Sequence, residues 1–295
     1  MYLLIVIKFA KKIMKKVLVV FLSVVSISAY CQTTTGKISV KKGQHFVVES
    51  TSDATVNQEM MGQSMEMKIG SSTKLNADIK EVKDNSYTIT QTLTNVKSKF
   101  SGMGQEKSFD SNKKEDLNGE AGALYKDKFN VPKDVIVSKE GKNIVSTDTV
   151  ATTKKQDPNP MAAMMDMMGG GQDNVATALF LVIPAGKKTG DTWMDSTSND
   201  GIKMNRTYML NSIKNKEAAI TINSVININK TMQIQGMDMN AVMVSKIISA
   251  VLVDVESNIQ KENKSTTDVT GTIDVMGQSV PITSKATTVT TVKSI

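Results

Sequence analysis

The chain is 295 residues long, 40% hydrophobic and 22% charged, with 36 Lys and Arg against 29 Asp and Glu. That composition is globular and large enough for one big or two ordinary domains. One histidine, one cysteine and one arginine, Arg206, leave little for His- or Cys-built metal centres, for disulfides, or for bidentate reading of nucleic acid, so none of these is expected.

Residues 1–31 read as a targeting segment rather than as structure. From Met14 onward, Lys15 and Lys16 form a basic start, Val17 to Ile27 an apolar run of 11 residues, and Ser28-Ala29-Tyr30-Cys31 a small-residue exit. Crossing a hydrocarbon core takes about 20 apolar residues, so no transmembrane span is expected after cleavage. Cleavage after Cys31 suits Ala29 and Cys31. Acylation of Cys31 is the alternative, for which Tyr30 is a poor neighbour. Residues 1–13, with their own apolar run and Lys8, Lys11 and Lys12, extend upstream of the pattern. Without the leader 31 basic residues face 29 acidic ones, so the pI near 9.2 belongs largely to the leader. The expectation is an exported protein, periplasmic or extracellular, with association to the outer membrane left open.

Residues 32–150 read as an N-terminal β-meander with a short helix and a hairpin. Between His45 and Asn112 apolar residues recur every second position, with Met65, Met67 and Ile69 on one face and Tyr87, Ile89 and Leu93 on another. Reversals are expected at Met61-Gly62-Gln63, Asp84-Asn85 and Met103-Gly104-Gln105. Ala121, Leu124, Tyr125 and Phe129 have helical spacing, stopped by Asn130 and Pro132. A hairpin should pair Val135–Val137 with Asn143–Val145 across Glu140-Gly141.

Residues 151–185 read as a Met-rich linker and helix. Met161, Met164, Met165 and Met168 would line one helical face, and Gly169-Gly170-Gly171 follows as a flexible break without the Lys-Ser/Thr of a phosphate loop. Thioethers suit Cu(I), yet 20 Met against 13 aromatics make Met the general filler of this chain, so the stripe is read as packing or as an adaptable surface, and no metal or cofactor is expected. Asp173 could cap a helix to Ile183; a buried strand over 178–183 is the alternative.

Residues 186–295 read as a second, long-stranded β-meander. Ile220, Ile222, Ile226 and Ile228 alternate with Thr221, Asn223, Asn227 and Asn229, the pattern of a strand with one wet face. Val242 to Val255 is apolar on both faces and predicts a central strand covered on both sides. Val269, Ile273 and Val275 are one-sided, and the Thr-rich run 283–291 predicts a strand near an edge. At an offset of 215, Asp53, Thr55 and Met61-Gly62-Gln63-Ser64 recur as Asp268, Thr270 and Met276-Gly277-Gln278-Ser279, from duplication or from shared turn chemistry.

No catalytic constellation emerges. His45 starts a strand, acid pairs such as Glu115-Asp116 are ordinary surface features, and Trp193, after Gly190-Asp191-Thr192, reads as a packing anchor before a ligand-stacking one. The expectation is a protein that is not an enzyme, and the ligand-binding residues stay unknown.

Lys42-Gly43-Gln44, Met61-Gly62-Gln63, Gly102-Met103-Gly104-Gln105 leading to Phe109-Asp110-Ser111, and Gly190-Asp191-Thr192-Trp193 together resemble an exported family of Bacteroidota with no assigned function. These motifs form turns, so the resemblance implies structure and export but no active site. A looser fold analogy runs to periplasmic lipoprotein carriers, whose half-open barrels hold helices on the concave face.

The predicted fold is mainly β: a large curved antiparallel sheet or open barrel from two β-meanders, with a small helical insertion in the middle third. Two β domains joined near 150–175 are the alternative. The expected function is non-catalytic binding of a lipid or other hydrophobic small molecule in the cell envelope. The alternative is a structural or interaction module that meets an envelope protein through exposed sheet edges. An apolar cavity would favour the first, an open edge the second.

Overall fold

A side-chain period of two over long runs sends alternate residues to opposite faces of a sheet, and the meander turns let successive runs pair. The computed structural model describes residues 34–60, 63–102, 104–123, 125, 128–141, 143–146, 175–199, 201–234, 237–275 and 278–295. The leader with Cys31, the Met161 to Met168 stripe, the glycine triplet, Asp173 and the tips Met61-Gly62 and Met276-Gly277 lie outside the described residues.

The described strands are β1 (His45–Met60), β2 (Gln63–Val82), β3 (Ser86–Gly102), β4 (Gln105–Asp110), β5 (Lys133–Ser138), β6 (Asn143–Ser146), β7 (Thr192–Asn199), β8 (Ile202–Lys214), β9 (Glu217–Ile234), β10 (Met237–Asp254), β11 (Gln260–Val275) and β12 (Gln278–Ser294). They form one antiparallel sheet in the order β6-β5-β3-β2-β1-β12-β11-β10-β9-β8-β7, with β4 also on β3. The sheet is not closed into a barrel. The predicted mainly β architecture is thus what the chain adopts, and the two meanders share one sheet. The hairpin predicted after residue 134 forms as well, pairing Val137 with Asn143 and Ile136 with Val145.

Three local expectations change. The Thr-rich strand predicted near an edge is β12 at the sheet centre, where Ile282 to Ser294 pair with Gln58 to Phe46 of β1. Its neighbours come from the far end of the chain, which local composition does not encode. β10 is central as predicted but covered on one face only: Val242, Ile248 and Leu252 are 44%, 57% and 37% exposed on the other. Of the helix predicted from Glu120 to Phe129 one short turn is described, α2 (Glu120–Ala123), preceded by α1 (Lys114–Asn118), and Phe129, whose N–H donates to Tyr125 O at 2.7 Å, bridges to Leu93. The apolar run before Pro184 combines both alternatives: α3 (Val175–Leu179) is a short helix, after which Phe180 bridges to Ile259.

Call the end of the sheet that holds His45 and Ser294 proximal, and the end where Met60 pairs Gln63, Ile234 pairs Met237 and Val275 pairs Gln278 distal. The face carrying Val48, Val56, Ile79, Ile89, Ile220, Val251 and Val269, all nearly fully buried, is the inner face. Its proximal half has a second layer. Ile38 and Val40 from the N-terminal segment, with Val175, Leu179 and Phe180, pack on Val48, Ile79, Ile89 and Val137; Ile183 packs on Leu210, Ile220 and Val253. Burying each such side chain contributes about 1.5–3 kcal/mol. The backbone of the cover is also tied down: Tyr87 Oη donates to Ile38 O at 2.8 Å, and Gln260 Nε2 to Phe180 O at 3.2 Å.

Asn258 joins both covering segments. Its Oδ1 accepts from Ile183 N at 2.9 Å, while its Nδ2 donates to Lys37 O at 2.7 Å and to Thr35 Oγ1 at 3.1 Å. The residue is fully buried and has φ of 59°, a left-handed conformation that asparagine tolerates better than most side chains.

Candidate functional site

The distal half of the inner face is built differently. Val56, Met67, Ile228, Ala241, Met243, Val269, Ile273 and Ile282 form a buried apolar field, with Ile69, Phe100, Ile202, Ile226 and Met239 half-buried around it. All of these residues belong to strands, from β3 across the seam to β8. Among the described residues, no segment outside the sheet contributes to this field, in contrast to the proximal clusters. Within it Ser284 is 3% exposed, and its Oγ has no hydrogen-bond partner among the described residues. A buried hydroxyl left unpaired costs about 1–3 kcal/mol, which makes it a natural contact for a polar atom brought by something else.

Between the two halves runs a belt of hydroxyls. Strand register places Ser98, Ser71, Ser52, Thr288, Ser265 and Ser249 in one continuous cross-strand row from β3 to β10. One row closer to the proximal end stand Thr73, Ser50, Thr290 and Asn263. Thr288 Oγ1 donates to Ser52 Oγ at 3.0 Å, and Ser50 and Thr290 share a hydrogen bond of the same length. Asn263 Oδ1 is buried without a partner among the described residues. The inner face therefore reads, from proximal to distal, apolar, polar, apolar.

The belt ends at β7 and β8 in an ionic corner. Arg206 Nε donates to Asp195 Oδ1 at 2.7 Å, and Tyr208 Oη donates to Asp195 Oδ2 at 2.9 Å. Trp193 stacks on Tyr208 with ring centroids 5.1 Å apart. Burial, together with the neighbouring Asp195 carboxylate, pushes the Tyr208 phenol far above its usual pKa, so it stays a neutral donor. Trp193 is thus a packing anchor against Tyr208 and the second proximal cluster.

The outer face carries a groove of about 840 Å³ beside β1, whose lining includes Asp53, Lys68, Lys99, Glu106, Asp268 and Lys285. Gly70 leaves room there, since a Cβ on it would lie 3.3 Å from Asp53 Oδ1. This groove is charged, so it is not the apolar cavity that the ligand-binding expectation called for. Asp53 and Asp268, equivalent under the offset of 215, both line it, because the hairpins β1–β2 and β11–β12 lie side by side in the sheet. His45 lies elsewhere on the surface, its Nδ1 2.6 Å from Asp78 Oδ1, with both side chains exposed.

Single-strand periodicity pointed to the Met, Ile and Val positions of the distal field but not to the belt or the corner. The only signals available were the i, i+2 hydroxyl pairs Ser50/Ser52, Ser71/Thr73 and Thr288/Thr290, and register was needed to align them.

No curated protein matches the chain. Solved structures with some likeness include lipovitellin, from a study of lipid-protein interactions (14% identical, TM-score 0.48, covering 85% of this chain and 25% of that one). Others are an outer membrane channel of Pseudomonas putida F1 (7%, TM-score 0.27, covering 87% and 98%) and the translocator domain of the autotransporter NalP of Neisseria meningitidis (7%, 0.21, 86% and 90%). The chain spans a quarter of the lipovitellin chain it matches. Likenesses of this degree identify neither a shared topology nor a shared ligand. A family model does match, over residues 84–288, from the turn before β3 into β12. The chain belongs to DUF6263, a family of unknown function.

Proposed function

We propose that the protein is an exported, non-catalytic binding module of the bacterial cell envelope, of the Bacteroidota type its turn motifs resemble, and that it holds an apolar or amphiphilic ligand against the distal inner face of its sheet. The observation that carries this reading is the distal field itself. An apolar sheet face needs a second layer. The proximal half draws one from the chain's own segments, and the distal half shows none among the described residues. Met67, Met239 and Met243 in the field are flexible enough to repack around a guest. The hydroxyl belt beside it would meet the polar end of an amphiphile.

Native mass spectrometry of the protein purified from the cell envelope, followed by extraction of retained small molecules, tests the reading. A co-purifying lipid or similar hydrophobe is expected. A ligand-free mass together with no uptake of the fluorescent fatty acid cis-parinaric acid would sink it.

A second reading, contact with an envelope protein, has an observation of its own. Met194, Val225, Val242, Ile248 and Leu252 are exposed on the outer face of neighbouring strands, at 77%, 38%, 44%, 57% and 37%. The outer edge of β7 has no strand partner among the described residues. Of these, Ile248 and Leu252 flank exposed Ala250 on the outer face of β10, and apolar side chains that adjoin mark interaction sites more often than isolated ones do. Chemical cross-linking in intact cells should then capture a protein partner that Ile248→Lys releases, and unchanged cross-links in that variant would remove this support.

A further inference from the structure

We infer that Arg206 is the anchor for an anionic headgroup, so that the ligand of the inner face is a single-chain amphiphile ending in a carboxylate or phosphate. This inference rests on the proposed inner-face reading and narrows it to a ligand class. Three observations carry it.

First, Arg206 is the one arginine of the chain, and it stands on the inner face. Second, it is held in place by a single nitrogen. Nε is bound to Asp195, which Tyr208 fixes from its other oxygen, while among the described residues both terminal nitrogens have no partner. A planar guanidinium clamped at Nε presents two parallel N–H donors, the geometry that matches a carboxylate or phosphate edge. Its side chain is 31% exposed, so these donors remain accessible.

Third, Arg206 sits where head and tail would separate. Towards the distal end its inner-face neighbours are Met204, Ile226 and Ile202, half-buried at the rim of the apolar field. Towards the proximal end stand Tyr208 and the last row of the hydroxyl belt, in which Ser249 pairs with Ile222 and Ile222 with Tyr208. A chain lying along Met204, Ile226 and Ile202 therefore places its terminal oxygens at the guanidinium.

The test is calorimetric titration of the protein with dodecanoate, dodecyl phosphate and dodecanol, each below its micellar concentration, near pH 7. Both anions are expected to bind about tenfold more tightly than the alcohol, the worth of one charge-assisted hydrogen bond. Arg206→Met should abolish that preference, bringing both anions to the affinity of dodecanol. Asp195→Asn removes the competing carboxylate and should tighten both anions, an effect opposite in sign to damage of the fold. A tighter dodecanoate than dodecyl phosphate assigns a carboxylate headgroup, and the reverse order a phosphate. Equal affinities for all three ligands, or an equal loss of all three in Arg206→Met, would overturn the anchor and leave the amphiphile reading standing. No binding of any of them would overturn both.

Discussion

The proximal and distal halves of the inner face are made by the same strands, yet they reach burial by different routes. The proximal half is covered by segments far apart in sequence, residues 34–40 and 175–183, and the strands beneath them are irregular. Register shifts occur at Lys74/Leu75, Ile79/Glu81, Leu210/Ser212 and Leu252/Val253, all in that half. A bulge bends a strand and raises its local twist, which shapes this half to receive its cover. The distal half keeps unbroken register across the central strands and, among the described residues, packs only sheet side chains. The difference teaches that a long strand can bury its apolar side chains in two ways along its length, against covering segments at one end and, among the described residues, against other strands' side chains at the other.

On this contrast, the largest stability effect belongs to the residue that ties down both covering segments. Asn258→Ala leaves Ile183 N–H buried and unpaired, takes one of two donors from Lys37 O and puts alanine in a left-handed conformation, an expected loss of about 4 kcal/mol. Chemical denaturation measures it, and a loss within experimental error would mean that packing alone holds the cover. Leu179→Ala, under the same cover, should cost about 3 kcal/mol and leave ligand uptake unchanged. Ile282→Ala in the distal field should cost about 2 kcal/mol, near the low end for such truncations, and should weaken cis-parinaric acid binding. Equal costs at Leu179 and Ile282 without any effect on binding would erase the distinction between the halves.

Acid provides the gentlest comparison. In the turn before Asn258, Asp254 lies below the usual carboxylate range: burial alone would raise it, but donors from Ser257 and Glu256 together outweigh that. Asp134 on proximal β5 is lowered by hydrogen bonds from Lys80 and Thr90. Folded-state values below the unfolded ones mean that this stability is fully present above about pH 4 and is lost as pH falls through the lowered values. Amide exchange at 34–38 and 175–183 should therefore rise on acidification before that of distal β9 and β10. Earlier loss at the distal end would contradict the assignment of Asp254 to the turn that holds the cover and of Asp134 to the proximal strands beneath it.

Most of the fold was legible because alternation is a local property. Ile220 to Ile228 announced β9 without any partner strand, and Gly141 announced the β5–β6 turn. What escaped was whatever depends on register between distant strands. Nothing in residues 283–291 reveals that β1 lies beside them, so their threonines suggested an edge. Ser52, Ser71, Thr288 and Ser249 are ordinary strand residues until pairing aligns them. Arg206 stood out only by its rarity; that it shares Asp195 with Tyr208 follows from the β7–β8 hairpin. The apolar outer positions of β10, Val242, Ile248 and Leu252, were recognised correctly as apolar but assigned a cover that the described chain does not supply.

The seam between β1 and β12 bears on how the chain assembles. Ser50 and Thr290 meet there across 240 positions of sequence, whereas nearly every other ladder joins consecutive strands. Hairpins form in about 1–10 μs, so each meander is expected to assemble as its own half-sheet before the two find each other, an order that pulse-labelled amide exchange would detect as late protection along β1 and β12. Until they meet, β1 and β12 are both raw edges of long strand, open to the matching edge of another copy. Newly made chains would then be at greatest risk of mispairing in the interval before the middle of the sheet closes, and a chaperone that shielded either of these two strands would act where that risk is concentrated.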